Sequence, residues 1–558
     1  MQPRTKAFRV LRSALIVSGA IVALVLVALP PRPQAITGAD SSLLGRTVSG
    51  AFHVHTRRSD GLGDKASVAA AAHSAGLKFV AFTDHGDGTR TPDPPEYIDG
   101  VLCLDGVEIS TADGHYIALG AAPSAYPLGG DSAGVVEDVA RLGGVGVAAH
   151  PFSARAELAW RDWTPPIDGL EWLNADSEWR DEGRWQQARA LSTYVIRSAG
   201  ALASLLDRPE ATLARWDAIA ASRRILAIAG HDAHGGIGGG VEQPAGRRLR
   251  IPSYKATFRT FSIRAVLDRP LTGDAAADAN AVLGALRSGS FYTEISAVAA
   301  GSTLRFSART AGETVAQGGV LTTTAAATFS AYAVVPNGAT IVALRNGVEV
   351  ARAPGGSLEF QSGEAGAFRI EVRLAGAPGQ PPVPWLVSNP IFRLPAPSLA
   401  PVPDRSAVFT LPASGWRIER SEGSDGSTRA TESGEVEFQY RLRGEPRASQ
   451  FVALVHDLPA SLPAFDAIAF AARAGAPRRV SVQLRFAQDG DARWGKSVYV
   501  AERPTPIVVP VAAMRRADGP AERPDTGRAT SILIVVDLTN ASPGDAQTIH
   551  LADPRLAR

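Results

Sequence analysis

One cysteine, Cys103, stands in a chain of 558 residues. That scarcity excludes an internal disulfide framework and a metal site built on a cysteine cluster. The setting GVLCLDGVE reads as a buried strand, which makes Cys103 a packed thiol rather than a nucleophile. An excess of one charge is also missing. A formal net charge of +2 excludes a nucleic-acid-binding surface spread over the whole molecule, and no nucleic-acid partner is expected other than as a substrate. Long apolar runs are scarce as well. The one that stands out, Ser13 to Leu29, carries no charge and is near the lower limit for a membrane-spanning helix. Arg4, Lys6, Arg9 and Arg12 precede it, and no good small-x-small cleavage site follows; Pro33-Gln34-Ala35 is a poor one. Residues 1–12 are therefore expected as a basic cytoplasmic flank and 13–30 as a signal anchor, favoured over a cleaved signal peptide. For a bacterial source the rest is expected to be exported. It would face the periplasm from the inner membrane, or be free in the periplasm if the signal is cleaved. The membrane is then a partner through the N-terminal helix.

What is present is ordinary globular material, 45% hydrophobic and 20% charged, in a chain too long for one core. After a linker at 31–47, residues 48–294 alternate short apolar strands with helical stretches. FHVH, LKFVAFTDH, VLCLDGVEIS, HYIALG, VGVAAHP, IDGLEWLN and ILAIAGHDAH are strand-like; Lys65 to Ala75, Ala133 to Leu142, Glu178 to Leu206 and Pro209 to Arg223 are helical. Such alternation predicts a parallel α/β sheet, and this many units predicts closure into a barrel. From 295 to 394 the texture becomes alternating strands and turns, with Asn346-Gly347 as a two-residue hairpin signal, and predicts an immunoglobulin-like β-sandwich. A Pro-rich linker at 395–407 precedes a second β-rich unit, 408–558, which reads as a jelly-roll or galactose-binding-like module. No internal repeat joins the two β units.

Of the ten histidines, only His456 and His550 lie outside residues 53–234. His53 and His55 are two apart at a strand end, so their side chains leave the same face. Asp232 and His234 repeat that spacing after ILAIAG. Asp84-His85 ends LKFVAFT, Glu108 ends VLCLDGV, His115 begins the next strand and His150 ends VGVAA. At the carboxyl ends of barrel strands these groups converge in space while lying far apart in sequence. Neutral imidazole with carboxylate suits Zn, Mn or Fe, and roughly nine candidate ligands suffice for two or three divalent ions. Glu108, with two carboxylate oxygens, is able to bridge two of them.

The run HVHTRRSDG, TDHG, GVEIS…GHYIALG, AAHPF and GHDAHG resembles the successive motifs of the PHP metallohydrolases, named for polymerase and histidinol phosphatase. The resemblance covers roughly residues 48–240 and is nearest to the branch described as carbaryl-hydrolase-like metal-dependent phosphoesterases. It implies a distorted (β/α)7 barrel holding up to three metals, so the fold class expected for the chain is that α/β barrel followed by the two β modules. It implies as ligands His53, His55, Asp60, His85, Glu108, His115, His150, Asp232 and His234. Some relatives carry histidine at the Asp60 position, which bears on metal preference. His231 stands where many relatives have a small residue.

The chemistry expected of such a site is hydrolysis of a phosphate ester by a metal-bridging hydroxide held by Glu108 and Asp232. Arg57 and Arg58, just after the first motif, are candidate phosphate contacts, with a solvated loop the plainer reading for either. Asn174 and His231 are further candidate substrate contacts, and His231 a candidate leaving-group acid. Asp84 is read as orienting a ligand imidazole; Trp172 is read as packing. A carboxyl ester or carbamate is an alternative substrate for the same site. An amidohydrolase-like barrel, which also opens on HxH and ends on aspartate, is a rival, but SDG beside HxHT and the terminal DAH favour the PHP pattern. A reading of another class is a membrane-anchored glycan-binding protein using the C-terminal module. There Trp416, Trp494, Tyr499 and Arg485 would form an aromatic platform, against the plainer reading of core packing.

Overall fold

The computed structural model describes residues 12–558 except 14, 17, 20–22, 24, 39, 237–250, 395–404, 446–448 and 517–524. Arg4, Lys6 and Arg9 of the expected basic flank, and the expected Pro-rich linker from 395 to 404, lie outside the described residues. No helix among the described residues is long and apolar enough to cross a membrane.

The first unit runs β1 (Thr47–Val54), α1 (Lys65–Ala75), β2 (Phe79–Phe82), β3 (Glu96–Ile98), β4 (Val101–Thr111), β5 (Gly114–Leu119), α2 (Ser132–Arg141), β6 (Val145–Ala148) and β7 (Gly169–Asn174). It continues through α3 (Ala175–Arg180), α4 (Arg184–Ala203), α5 (Glu210–Ala220), β8 (Leu226–Gly230), α6 (Tyr254–Phe258), β9 (Ser262–Val266), α7 (Ala275–Ser288) and β10 (Phe291–Glu294). The short strands FVAF, VGVA and LAIAG are buried at every position, as strands covered on both faces must be. Local chemistry sets the helix ends. Asp64 caps α1 by accepting from the Ser67 amide, and Gly76, at φ 84°, ends it in the left-handed conformation.

The expected (β/α)7 barrel is corrected. Among the described residues strand accounts for 39% and helix for 19%. The first unit's strands form the path β10-β9-β1-β2-β4-β5-β6-β7-β8 within one 15-stranded mixed sheet. The β1/β2, β2/β4, β6/β7 and β7/β8 pairs are parallel; β1/β9, β9/β10, β4/β5 and β5/β6 are antiparallel. The β4/β5 pair shows why. Only Ala112 and Asp113 separate the two strands, with Gly114 at φ 114°. A parallel crossover needs about a dozen residues, so this connection closes a hairpin. The path curls until the segment after β8 returns to the end of β1. The His231 amide donates to the Phe52 carbonyl at 2.8 Å, and the His55 amide to the Ala233 carbonyl at 3.0 Å.

The sheet also passes through the boundary expected at 294/295. β10 pairs with Leu386–Ser388, and the path continues through Gly366–Leu374, Ala339–Arg345 and Val348–Pro354. A four-stranded sheet, Thr314–Ala316, Leu304–Arg309, Ala327–Ala333 and Ser357–Ser362, packs on that extension, with the Phe329 and Phe368 rings 4.3 Å apart. The region 295–394 therefore shares one sheet and one apolar core with the first unit. Buried charge adds to the join. Arg369 pairs with Asp217 of α5 at 2.8 Å, and Arg208 grips Glu371 with both guanidinium nitrogens at 2.8 Å.

The C-terminal unit is a β-sandwich of two six-stranded sheets around a core of its own. It docks on α2: Arg479 meets Asp138 at 2.7 Å and Glu137 at 2.6 Å, and Arg141 lies 3.9 Å over the Tyr499 ring. The expected aromatic platform is not formed. Trp416 and Trp494 pack into the sandwich core, Tyr499 sits under Arg141, and Arg485 pairs with Glu419. Large apolar rings gain more by filling the space between the sheets than by facing water.

Candidate metal centre

The ends of β1, β2, β6 and β8, the middle of β4 and the start of β5 meet at one mouth. Three residues there adopt a left-handed backbone unusual for a side-chain-bearing residue: His53 (φ 62°), His150 (φ 30°) and Asp232 (φ 45°). The β1/β2 register slips between Ala51 and Val54, so His53 sits in an irregularity of the strand. Each such conformation costs on the order of 1 kcal/mol or more and persists only where the surroundings impose it. At His53 and Asp232 the exchange of main-chain hydrogen bonds between β1 and the segment after β8 imposes it, and at His150 the amide is held by Glu171 at 2.7 Å.

Glu108, 1% exposed, is the hub. Its Oε2 lies 3.2 Å from His53 Nε2, 3.2 Å from His55 Nε2 and 3.3 Å from His85 Nδ1. Its Oε1 lies 2.8 Å from His115 Nδ1 and 3.0 Å from His150 Nε2. Asp232 Oδ1 is 3.4 Å from both His53 Nε2 and His55 Nε2. Asp60 Oδ2 is 3.2 Å from His234 Nε2 and 3.7 Å from His85 Nε2, and the His234 and His55 rings stack at 4.4 Å. The structure thus brings all nine residues named from the sequence into one cluster.

Four overlapping triads have ligand atoms within 4.8 Å of one another: His53/His55/Glu108, His53/His150/Asp232, His55/Asp60/His234 and His85/Glu108/His115. His53 Nε2 and His55 Nε2 are buried and make no hydrogen bond among the described residues. Orphaned imidazole nitrogens aimed at carboxylates fit a divalent cation.

Electrostatics bind the cluster together. Burial alone would push the Glu108 carboxyl up, but the imidazoles of His53, His115 and His150 hold it well below its ordinary value. Asp232 and Asp60 are likewise lowered, against burial, by His53 and His55 and by His234 and His85 respectively. Burial disfavours the charged form of His53, and Asp232, Glu171 and Glu108 more than reverse this, raising it well above the ordinary histidine value.

Sequence reasoning missed Glu171, in β7. One of its oxygens accepts from His53 Nδ1 at 2.7 Å; the other accepts from the His150 amide at 2.7 Å and Asn174 Nδ2 at 2.8 Å. A carboxylate that takes the Nδ1 proton fixes the tautomer that turns His53 Nε2 toward Glu108 and Asp232. The signal was a lone acid in an otherwise apolar strand, GLEWLN, buried at all positions.

Several expected roles change. Asp84 touches no ligand imidazole; it accepts from the Thr56 amide and hydroxyl, both at 2.7 Å, and from the Ser59 hydroxyl at 2.7 Å. It pins the loop after β1. Arg58 is spent on Asp93 at 2.7 Å and Asp105 at 3.3 Å, so it forms no free phosphate fork; Arg57 is exposed and donates through Nε to the Leu62 carbonyl at 3.0 Å. His231 is fully buried and stacked on Phe261, with its ring nitrogens 3.0 Å from the Phe261 carbonyl and 3.2 Å from the Phe52 carbonyl. Burial holds it neutral, pushed down to about 4, and its ring braces the sheet. Asn174 donates through Nδ2 to Glu171 at 2.8 Å and caps α3 by accepting at Oδ1 from the Ser177 amide at 3.0 Å, so both sides of its carboxamide are engaged. Trp172 is core, its indole N–H donating to Thr293 at 3.0 Å. Burial pushes the Cys103 thiol up to about 11, which suits a packed group.

A cavity of about 340 Å³ opens beside the cluster. Asp60, Asp232 and His234 line it together with Glu178, Trp179 and Leu202 of the α3–α4 helical pair.

No family model and no curated protein matches the chain. Solved structures similar to it include carbohydrate-binding modules. The family 11 carbohydrate-binding module of the cellulosomal cellulase Lic26A-Cel5E of Clostridium thermocellum is 17% identical, with a TM-score of 0.22 over 27% of this chain and 93% of that one. The same organism's family 11 module in complex with a beta-1,3-1,4-mixed-linked tetrasaccharide is 18% identical, with a TM-score of 0.22 over 27% of this chain and 96% of that one. A carbohydrate-binding module of the beta-sandwich superfamily is 10% identical, with a TM-score of 0.20 over 46% of this chain and 98% of that one.

Proposed function

We propose that this chain is an exported metal-dependent hydrolase, related through its motifs to the PHP metallohydrolases and acting on a phosphate ester. The observation that carries the reading is Glu108 within 3.3 Å of five imidazoles, with Asp60 and Asp232 completing the donor set. Two or three divalent ions held there, Zn, Mn or Fe by the chemistry of the donors, would supply Lewis acidity that lowers the pKa of water and neutralises charge on reacting oxygens. The protein's own part is positional. Glu108 joins the triads, Glu171 sets the His53 tautomer, Asp84 holds the loop that carries Asp60, and Asn174 steadies Glu171. The cavity beside Asp60 and Asp232 receives the substrate, and the burial of Glu108 keeps bulk water from weakening these electrostatics. A carboxyl ester or carbamate suits the same groups. Residues 13–29 are read as the membrane anchor of this exported enzyme.

The test is metal analysis of the purified full chain with assays on a chromogenic phosphomonoester, phosphodiester and aryl ester. Bound transition metal is expected, with phosphoester turnover that is lost on chelation and in Glu108→Ala. Metal-replete protein inert toward all three substrates would sink the proposal.

A second reading concerns the C-terminal sandwich. A trough of about 910 Å³ lies between its second sheet and the first unit, lined by Ser481, Gln483, Arg493 and Ser497 on the sandwich side and by Asp113, Asp131 and Arg161 on the other. Such a row of hydrogen-bonding groups suits a glycan. Calorimetric titration with a mixed-linked β-glucan oligosaccharide tests this, and no heat at saturating ligand would overturn it for that class of sugar.

A further inference from the structure

Helix α4 carries an outward apolar stripe. Trp185, Ala188, Leu191 and Val195 recur at three- and four-residue steps on one side, with Ile196 beside Val195 just before the kink at Arg197, while Ala190 and Thr193 are buried on the other. Trp185 is 81% exposed and Val195 89%. Arg184 and Arg189 flank the stripe. The chain's other apolar liability meets it. Of the large apolar side chains exposed among the described residues, four lie on α4, and Leu15, Ile16, Leu26 and Val27 belong to the N-terminal run. That run enters the fold at Pro30, whose carbonyl accepts from Arg197 of α4 and whose ring packs beside Gly200. Ile196 and Pro31 line the same surface hollow. The exit point of the anchor and the stripe are therefore contiguous.

We propose that α4 lies on the lipid surface of the bilayer in which residues 13–29 are anchored, with Trp185, Val195 and Ile196 sunk among the acyl chains and Arg184 and Arg189 at the headgroups. An interfacial helix has this composition: aromatic and aliphatic groups on one face, arginines at its border. From Trp185 to Ile196 the stripe spans about 16 Å at the helical rise, enough to lie along a membrane and too short to cross it. Leu202, near the end of α4, also lines the cavity next to Asp232 and His234, so docking would set that cavity close to the lipid surface. The inference rests on the anchor reading of residues 13–29.

The two fail separately in one experiment. The full chain carrying Val195→Cys is labelled with a polarity-sensitive fluorophore, buried Cys103 being spared, and reconstituted into phosphatidylethanolamine–phosphatidylglycerol vesicles with or without spin-labelled lipid. Val195 is so exposed that its replacement leaves folding intact. The expected result is flotation with the vesicles, blue-shifted emission, and at least twofold quenching by the spin-labelled lipid that Trp185→Ser/Ile196→Ser reduces. Flotation without quenching overturns the docking and leaves the anchor. A blue shift untouched by lipid-borne quencher means that protein covers the stripe, and also overturns it. Failure to float overturns the anchor and the docking together.

Discussion

Glu171→Gln is the substitution that most sharply tests how the centre is held. The glutamine keeps the size of the buried side chain, but it has one oxygen where the glutamate has two. With that oxygen facing the His150 amide and Asn174 Nδ2, at 2.7 and 2.8 Å in the parent, its NH2 faces His53 Nδ1. His53 must then accept at Nδ1 and carry its proton on Nε2, the atom 3.2 Å from Glu108 and 3.4 Å from Asp232. A protonated Nε2 cannot ligate a metal. Loss of such an outer partner weakens metal binding by about ten- to a hundredfold, or about 1.4 to 2.8 kcal/mol. The opposite amide orientation sets the NH2 against two donors and gains nothing. Glu171→Ala differs, because it strips three buried donors of their acceptor. At about 1 to 3 kcal/mol each, it costs at least about 3 kcal/mol of stability. Competitive titration with a chelating dye, beside thermal melting, separates the two effects: Gln should melt near the parent and bind metal poorly, whereas Ala should melt early. A Gln variant that holds metal as tightly as the parent refutes the tautomer argument.

Gly230→Ala would set a Cβ only 1.6 Å from Glu171 Oε1, so it should displace that carboxylate and cost about 1 to 3 kcal/mol along with metal affinity; melting and dye titration check both. A pH prediction follows from Glu371, where burial acts upward but Arg369, Arg208 and Arg373 depress the carboxyl to about 2. A carboxylate depressed in the folded state stabilises above its unfolded pKa and loses that contribution as pH falls through the folded value. Roughly 3 kcal/mol should therefore be lost between about pH 4.5 and 2. Glu371→Gln should lower neutral-pH stability and flatten the melting profile across that window; an unchanged slope would show that the pairing carries little.

The chemistry of the site was written locally, and so was readable. Histidine and aspartate in HVH and DAH mark the donors by residue type alone, although left-handed backbone at His53 and Asp232 replaces the extended geometry that the spacing suggests, and burial of FVAF and LAIAG follows from their apolar composition. Asn346 and Gly347, at φ 48° and 82°, occupy the left-handed turn that their side chains favour. The alternation of strands and helices was readable too, but not its consequence. The two-residue connection between β4 and β5 made an antiparallel hairpin where a parallel barrel strand was expected, and β10 found its partner near residue 387, far along the chain.

By itself, then, the sequence determined which residues carry donor chemistry, where the short buried strands lie and which thiol is inert. Those properties reside in side-chain type and in a period of two or 3.6 residues. The tertiary structure alone decided that Glu108 lies amid five histidines, that Glu171 aligns one of them, that Arg58 is consumed by Asp93 and Asp105, and that His231 braces the sheet. Each of these is a contact between groups distant in sequence. A side chain's partner there is set by which strands pair and in which direction, and no local pattern encodes that choice.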